Sequence, residues 1–257
     1  MKIKEIVSAL ERFAPLPLQD GFDNAGLQIG LTEVEATGAL LCLDVTEAVL
    51  DEAIALGHNL VISHHPLIFK GYKSITGKDY VERCILKAIK NDIVIYSAHT
   101  NLDNAYGGVN YKIAEKIGLK NLQVLEPKEN SLQDDLMQAG AGIVGELDEP
   151  ETELEFLKRI KKTFEVGCVR HNRLTGREIQ KVALCGGAGA FLLPQAIRAG
   201  ADVFITGEIK YHDYFGHEGD ILMAEIGHYE SEQYTKEIFY SIIRDLFPNF
   251  ALQSSKI

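Results

Sequence analysis

The sequence predicts an α/β protein made of two related repeats, and three observations predict it. Strand-like and helix-like segments alternate along most of the 257 residues. The order of segments in the first half returns in the second. The two runs can also be laid over each other at fixed spacing, without gaps.

Each element follows in turn. MKIKEIVSALERF sets Ile3, Ile6, Val7, Leu10 and Phe13 at helical spacing, so the chain opens on an amphipathic helix. GALLCLDV (38–45), LVIS (60–63) and DIVIYSAH (92–99) are continuous apolar runs, the pattern of strands buried on both faces. VTEAVLDEAIALG (45–57) and the stretch from Val109 to Gly118 read as the helices between them. A segment rich in Glu, Asp, Asn and Gly, from about Glu126 to Glu151, reads as a loop-bearing junction. Gly140, Gly142 and Gly145 within it read as turn residues, because no GK[ST] follows to make a phosphate loop. ETELEFLKRIKKTF then carries Leu154, Leu157, Ile160 and Phe164 at helical spacing. KVALCGG, FLLPQAIRAG, DVFITGE, DILMAEIGH and TKEIFYSIIRDLF restate the earlier order.

At an offset of 143 residues Cys42 meets Cys185, Ala53-Ile54 meets Ala196-Ile197, and Gly57 meets Gly200. Ile62-Ser63 then meets Ile205-Thr206, which sets His64-His65 opposite Gly207-Glu208. At an offset of 129, His99 and Asp103 fall on His228 and Glu232, and Tyr111 and Ile113 fall on Tyr240 and Ile242. Shared spacing with matching small residues at a helix end points to an ancestral duplication. It divides the chain into a first α/β repeat over 1–125 and a second over 126–257.

Composition narrows the partners. The net charge is -11 and no basic stripe is present, which argues against general nucleic-acid binding through phosphates. No run of about 18 apolar residues predicts a membrane span. The charged N-terminus lacks the apolar core of a signal peptide, so a cytoplasmic location is expected. Four cysteines form no CxxC pair, and Cys42 and Cys185 read as buried reduced thiols inside strands.

The candidate chemistry gathers at strand ends. In VIS-His64-His65-Pro66 an apolar strand turns abruptly polar, as at the carboxyl edge of an open α/β sheet, where ligands bind. His99-x-x-x-Asp103 follows another such strand, and His228-x-x-x-Glu232 a third, where i,i+4 spacing would put both side chains on one helix face. Glu230 lies off that face. Each signal has a plainer reading: a hydrogen-bonded histidine pair, a turn aspartate, a solvated first helical turn. Together, His64, His65, Asp103, His228 and Glu232 make a reasonable ligand set for two divalent ions roughly 3.5–4 Å apart. Asp23 and Asn24, and Glu208 and His212 in ITGEIKYHD, are further candidate pocket residues, each with an equal structural reading as turn or polar support.

SHHP (63–66), HTNLDNAYGGVN (99–110) and GHYESE (227–232) resemble the NIF-three-like family of dinuclear-metal proteins, often labelled GTP cyclohydrolase I type 2 homologs. FDNAGLQIG (22–30), with Phe22 where the family usually has tryptophan, and VALCGGAGAFLLPQAIRAGADVFITGEIKYHD (182–213) extend the likeness along essentially the whole chain. The resemblance implies two similar, intertwined α/β repeats forming one compact subunit. It implies metal ligation by His64, His65, Asp103, His228 and Glu232, with His99 close to the ions but usually not a ligand; imidazole chemistry makes His99 the candidate proton carrier. Two divalent ions per subunit follow, their identity open among zinc, iron, manganese, cobalt and nickel. It also implies a toroidal homohexamer, a trimer of dimers. On this reading His64 with Asp103 holds mainly one ion, His65 with His228 the other, and Glu232 bridges them. The expected activity is metal-dependent hydrolysis of a nucleotide-like or cyclic small molecule, a cyclohydrolase or a phosphoesterase. The alternative is a non-catalytic, metal-stabilised ring that binds or organises protein partners.

Overall fold

Helix α1 (Ile3–Phe13) opens the chain and buries Ile3, Ile6, Val7, Ala9 and Leu10, the stripe its spacing predicts. The computed structural model describes residues 1–128, 139–217 and 219–257. Two compact units divide the chain: Met1–Leu102 with Thr235–Ile257, and Asp103–Tyr234.

The first unit continues with β1 (Gly26–Ile29), β2 (Ala39–Cys42), α2 (Glu47–Leu56), β3 (Leu60–Ser63), α3 (Tyr80–Lys90) and β4 (Val94–Ser97). Every residue of β2, β3 and β4 is buried, which is why these strands read as unbroken apolar runs. Local signals set the helix limits. Thr46 accepts a hydrogen bond from Val49 N at the start of α2, and Gly57 closes it in the left-handed conformation. The short helix α4 (Thr100–Asn104) carries the chain across the unit boundary.

The second unit holds α5 (Val109–Ile117), β5 (Lys120–Pro127), β6 (Gly140–Thr152), α6 (Glu153–Thr163), β7 (Arg170–His171), β8 (Glu178–Cys185), α7 (Leu193–Arg198), β9 (Val203–Thr206), β10 (Leu222–Glu225) and α8 (His228–Glu232). Its sheet runs β5-β6-β8-β9-β10-β7. The expected junction loop is corrected here. Positions 129–138 lie outside the described residues, while 126–127 and 140–151 belong to strands rather than to a loop. Gly140, Gly142 and Gly145 lie within β6, where they permit close approach. A Cβ on Gly140 would sit 2.3 Å from the Glu126 carbonyl oxygen, and one on Gly145 would sit 2.9 Å from that of Lys120.

Two last elements, α9 (Thr235–Leu246) and β11 (Leu252–Ser254), return to the first unit. They complete its sheet in the order β1-β4-β3-β2-β11 and pack α9 against α1, β2 and β11. The related helix α5 follows α4 in sequence yet belongs to the second unit, against β6 and β8. Each repeat thus sends its last helix to the other unit, which is the intertwining the family resemblance implies.

Sheet register tests the duplication directly. Ala39 pairs with Leu60 and Cys42 with Ser63, while Val182 pairs with Val203 and Cys185 with Thr206, so both strands keep the offset of 143. The offset of 129 is corrected. Leu60 pairs with Val94 and Val203 with Leu222, which makes the strand offset 128. Helices α4 and α8 share that offset, so Thr100 stands where His228 stands, and Asn104 where Glu232 stands. His99 and His228 are therefore not equivalent backbone positions.

Candidate metal centre

In the first unit three parallel strands end side by side and present polar groups at their carboxyl ends. His64 and His65 follow β3 immediately, His99 follows β4 by two residues, and Asp44 follows β2 by two. Ring centroids of His64 and His65 are 4.9 Å apart, and those of His99 lie 5.3 and 5.4 Å from them. One ring nitrogen from each of the three lies within 4.8 Å of the others, close enough to share an ion. His64 is fully buried and His65 and His99 are half-buried.

Every imidazole here is held by its Nδ1. His64 Nδ1 lies 2.9 Å from the Ala98 carbonyl oxygen, His65 Nδ1 2.8 Å from Asp44 Oδ1, and His99 Nδ1 2.7 Å from Asp23 Oδ1. These partners only accept, so each Nδ1 carries the proton and donates it. The Nε2 lone pair is then the one a metal can use, and the ring cannot turn away from it.

Asp23 is part of this support. Its side chain is fully buried and also accepts from the Thr100 backbone N and hydroxyl. Burial alone would raise its carboxyl, but the hydrogen bonds from His99 and Thr100 outweigh that and hold it at about 2. Asn24 donates to the Ile68 carbonyl at 2.6 Å and so ties down the loop after SHHP. Both residues thus support the site: Asp23 through His99, Asn24 through backbone.

The second unit brings together the other three expected ligands. His228 begins α8 and Glu232 ends it; their Nε2 and Oε2 atoms are 3.2 Å apart. A carboxylate oxygen of Asp103 lies within 4.8 Å of one from Glu232, which is only 3% exposed. Two carboxylates this close, with one buried, repel unless a cation or proton lies near. His228 Nδ1 lies 2.8 Å from Glu208 Oε1, again leaving Nε2 to face the carboxylate. Glu208 therefore positions His228, while the contacts of His212 are aromatic, with Tyr211 and Phe215. Glu230 folds back over Gly227, away from the pair.

Glycines make room for this arrangement. Gly187 has φ of 60°, and a Cβ there would lie 2.3 Å from Glu232 Oε1. Gly187 N also donates to Ser231 Oγ at 3.0 Å, which docks α8 onto the turn after β8. Asn110 donates to the Asp103 carbonyl and accepts from Gly186 N, fixing the backbone that carries Asp103.

A family profile described as Duf34/NIF3 (NGG1p interacting factor 3) matches residues 1–257. The chain belongs to this family. Curated relatives named GTP cyclohydrolase 1 type 2 homolog include one from Clostridium perfringens, 38% identical over 235 residues, covering 90% of this chain and 87% of the relative. Another, from Lactococcus lactis, is 34% identical over 256 residues, covering 97% of this chain and 93% of its own. Among solved structures, a Bacillus cereus protein related to NIF3 superimposes with a TM-score of 0.88 at 28% identity, covering 100% of this chain and 97% of that one. Reduced HcgD from Methanocaldococcus jannaschii gives 0.82 at 27% identity, with coverage of 100% and 98%. The Duf34/NIF3 fold thus extends over the whole chain, and its His/Glu clusters are able to hold metal ions. No helix among the described residues is long and apolar enough to cross a membrane.

Two supports of this Duf34/NIF3 site escape sequence reasoning. Asp44 reads as an ordinary strand-end aspartate; its signal is that it ends β2, the neighbour of the SHHP strand. The Ala98 carbonyl leaves no side-chain signal at all.

Proposed function

We propose that the chain binds two divalent metal ions through His64, His65, Asp103, His228 and Glu232, and that it hydrolyses a nucleotide-like or cyclic small molecule. One observation carries the metal reading: each candidate histidine has its Nδ1 committed to an oxygen acceptor, which leaves its Nε2 lone pair for a metal. Imidazole nitrogens and carboxylate oxygens suit zinc, iron, manganese, cobalt or nickel. The reaction class is supported by the name its relatives bear, GTP cyclohydrolase 1 type 2 homolog.

When bound, a pair of such ions supplies Lewis acidity and makes hydroxide available near neutral pH. The chain's own residues do the rest. Asp44 and Glu208 hold His65 and His228 in ligand orientation. Glu232, enclosed at 3% exposure, offers two oxygens from one fixed carboxylate. His99 is the candidate catalytic residue: Asp23 keeps a proton on its Nδ1, so Nε2 can take up or deliver a proton at the substrate.

The test measures metal content and turnover of freshly purified protein against a panel of nucleotides and cyclic esters. Glu232→Gln is expected to lose both bound metal and turnover. A metal-free preparation with full activity overturns the reading. A second reading is a metal-stabilised ring, a homohexamer built as a trimer of dimers, that organises protein partners without catalysis. The family's description as an interacting factor favours it. Ring dissociation on metal removal, with no turnover by the loaded form, would select it.

A further inference from the structure

The second unit contains an open surface pocket of about 590 Å³, lined by none of the residues assigned to the metals. One wall is the segment Val169 to Arg173, which includes the two-residue edge strand β7. The other is Tyr211, Tyr214 and Phe215, on and after the turn that follows β9. Its volume lies within the usual range of small-molecule sites.

The two walls differ in chemistry. Arg170, His171 and Arg173 bring two guanidiniums and an imidazole; among the described residues no carboxylate lines the pocket, and Glu225 pairs with Arg170 from behind it. This is a local reversal in a chain of net charge -11. The other lining residues are aromatic and belong to a cluster of rings. Tyr211 and Phe215 meet edge to face at 5.0 Å, and His212 completes the group at 5.1 and 5.8 Å. Tyr211 is 73% exposed and Phe215 51% exposed, so ring faces remain open to a partner.

Part of each wall is held by the protein itself. The buried Glu225 carboxylate accepts from Arg170 and from the Tyr214 hydroxyl, tying the basic wall to the aromatic one. Asn172 donates to the Ile221 carbonyl and accepts from Met223 N, clamping the basic segment to β10. Preorganisation of this kind reduces the entropy lost on binding. Arg173 is exposed, and its guanidinium has no protein partner among the described residues.

We infer that this cavity binds a small planar aromatic anion, a phosphorylated heterocycle of mononucleotide size, with its ring stacked on Tyr211 and Phe215 and its phosphate met by Arg173 and Arg170. Stacking and guanidinium–phosphate pairing reinforce each other because the two surfaces face one cavity. The inference does not rest on the metal reading, since none of the lining residues is a candidate ligand.

Calorimetric titration of the purified protein with GMP, with guanosine, and with inorganic phosphate tests it. GMP is expected to bind at least tenfold more tightly than guanosine or phosphate, each of which engages one wall only. The double variant Arg173→Ala with Tyr211→Ala is expected to weaken that step at least tenfold, with metal content and circular dichroism unchanged. His65→Ala is expected to leave it intact, which separates this cavity from the metal centre. Absence of GMP binding overturns the inference. So does a GMP step that survives in the double variant or disappears in His65→Ala.

Discussion

The two repeats share a backbone register and divide the chemistry unequally. At the offset of 143 kept by the paired strands, Asp44 corresponds to Gly187 and His64 to Gly207. The first repeat places side chains at both positions, and they serve the histidine cluster. The second has none there, and its short helix α8 settles onto the vacant space. A Cβ on Gly207 would lie 2.6 Å from the Gly187 carbonyl oxygen and 2.9 Å from the His228 Cα. In the first repeat the corresponding helix, α4, carries Thr100 and Asn104 where α8 carries His228 and Glu232. Duplication supplied two similar sheet edges. The first repeat draws its candidate ligands from a strand end, His64 and His65, and from Asp103 on α4, whereas the second draws both of its own from α8.

The largest effect is expected from reversing that choice in the second repeat. Gly207→Ala forces a methyl against backbone atoms that cannot move separately, since Gly187 N also holds Ser231 Oγ. Overpacking of this kind costs about 1–3 kcal/mol. The urea midpoint should fall accordingly, and bound metal should fall with it as His228 and Glu232 are displaced. A variant with wild-type midpoint and metal content would show that α8 does not depend on the missing side chain.

Removing the opposite choice should be gentler on the fold and specific to the site. Asp44→Ala deletes the acceptor for His65 Nδ1 but creates no clash, because the Asp44 side chain is 57% exposed. Loss of such a support commonly lowers metal affinity about 10- to 100-fold. Competition with a chelator measures this, and an unchanged affinity would remove Asp44 from the site. Stability of the chain should change by less than about 1 kcal/mol, as for most exposed positions.

Legibility in the sequence followed the physics of each element. Strands β2, β3 and β4 and their counterparts β8, β9 and β10 were readable because burial on both faces leaves continuous apolar runs. The ends of those strands, and hence the histidines, followed from the same runs. Strand β6 was hidden because its glycines, which admit the neighbouring β5 backbone, look like turn formers. Side-chain matches, His99 with His228 and Tyr111 with Tyr240, point to an offset of 129, one more than the strand spacing that only hydrogen-bond register reveals. Asp44 carries no local signal, because its partner His65 is brought to it by strand order, which local sequence does not state.

Two loops that carry none of the candidate ligands are built alike. Thr76-Gly77-Lys78 wraps a buried carboxylate, with Thr76 N, the Thr76 hydroxyl and Lys78 N all donating to Glu82 Oε2. Thr175-Gly176-Arg177 does the same in the second unit, where Thr175 N and its hydroxyl donate to Glu153 Oε1 and Gly176 N to Oε2. Gly77 and Gly176 both adopt positive φ, 81° and 78°, which lets the chain turn its N–H groups inward. At Glu82 the Thr76 N–H bond outweighs burial and holds the carboxyl at about 2, below its ordinary 4.5. A depressed carboxyl stabilises the fold fully above about pH 4.5, and that contribution is lost as pH falls toward 2. Acidification through this window should therefore lower the urea midpoint of the wild type more than that of Glu82→Gln, which has no charge to lose. Equal slopes for the two proteins would show that the loop's hydrogen bonds do not favour the ionised form.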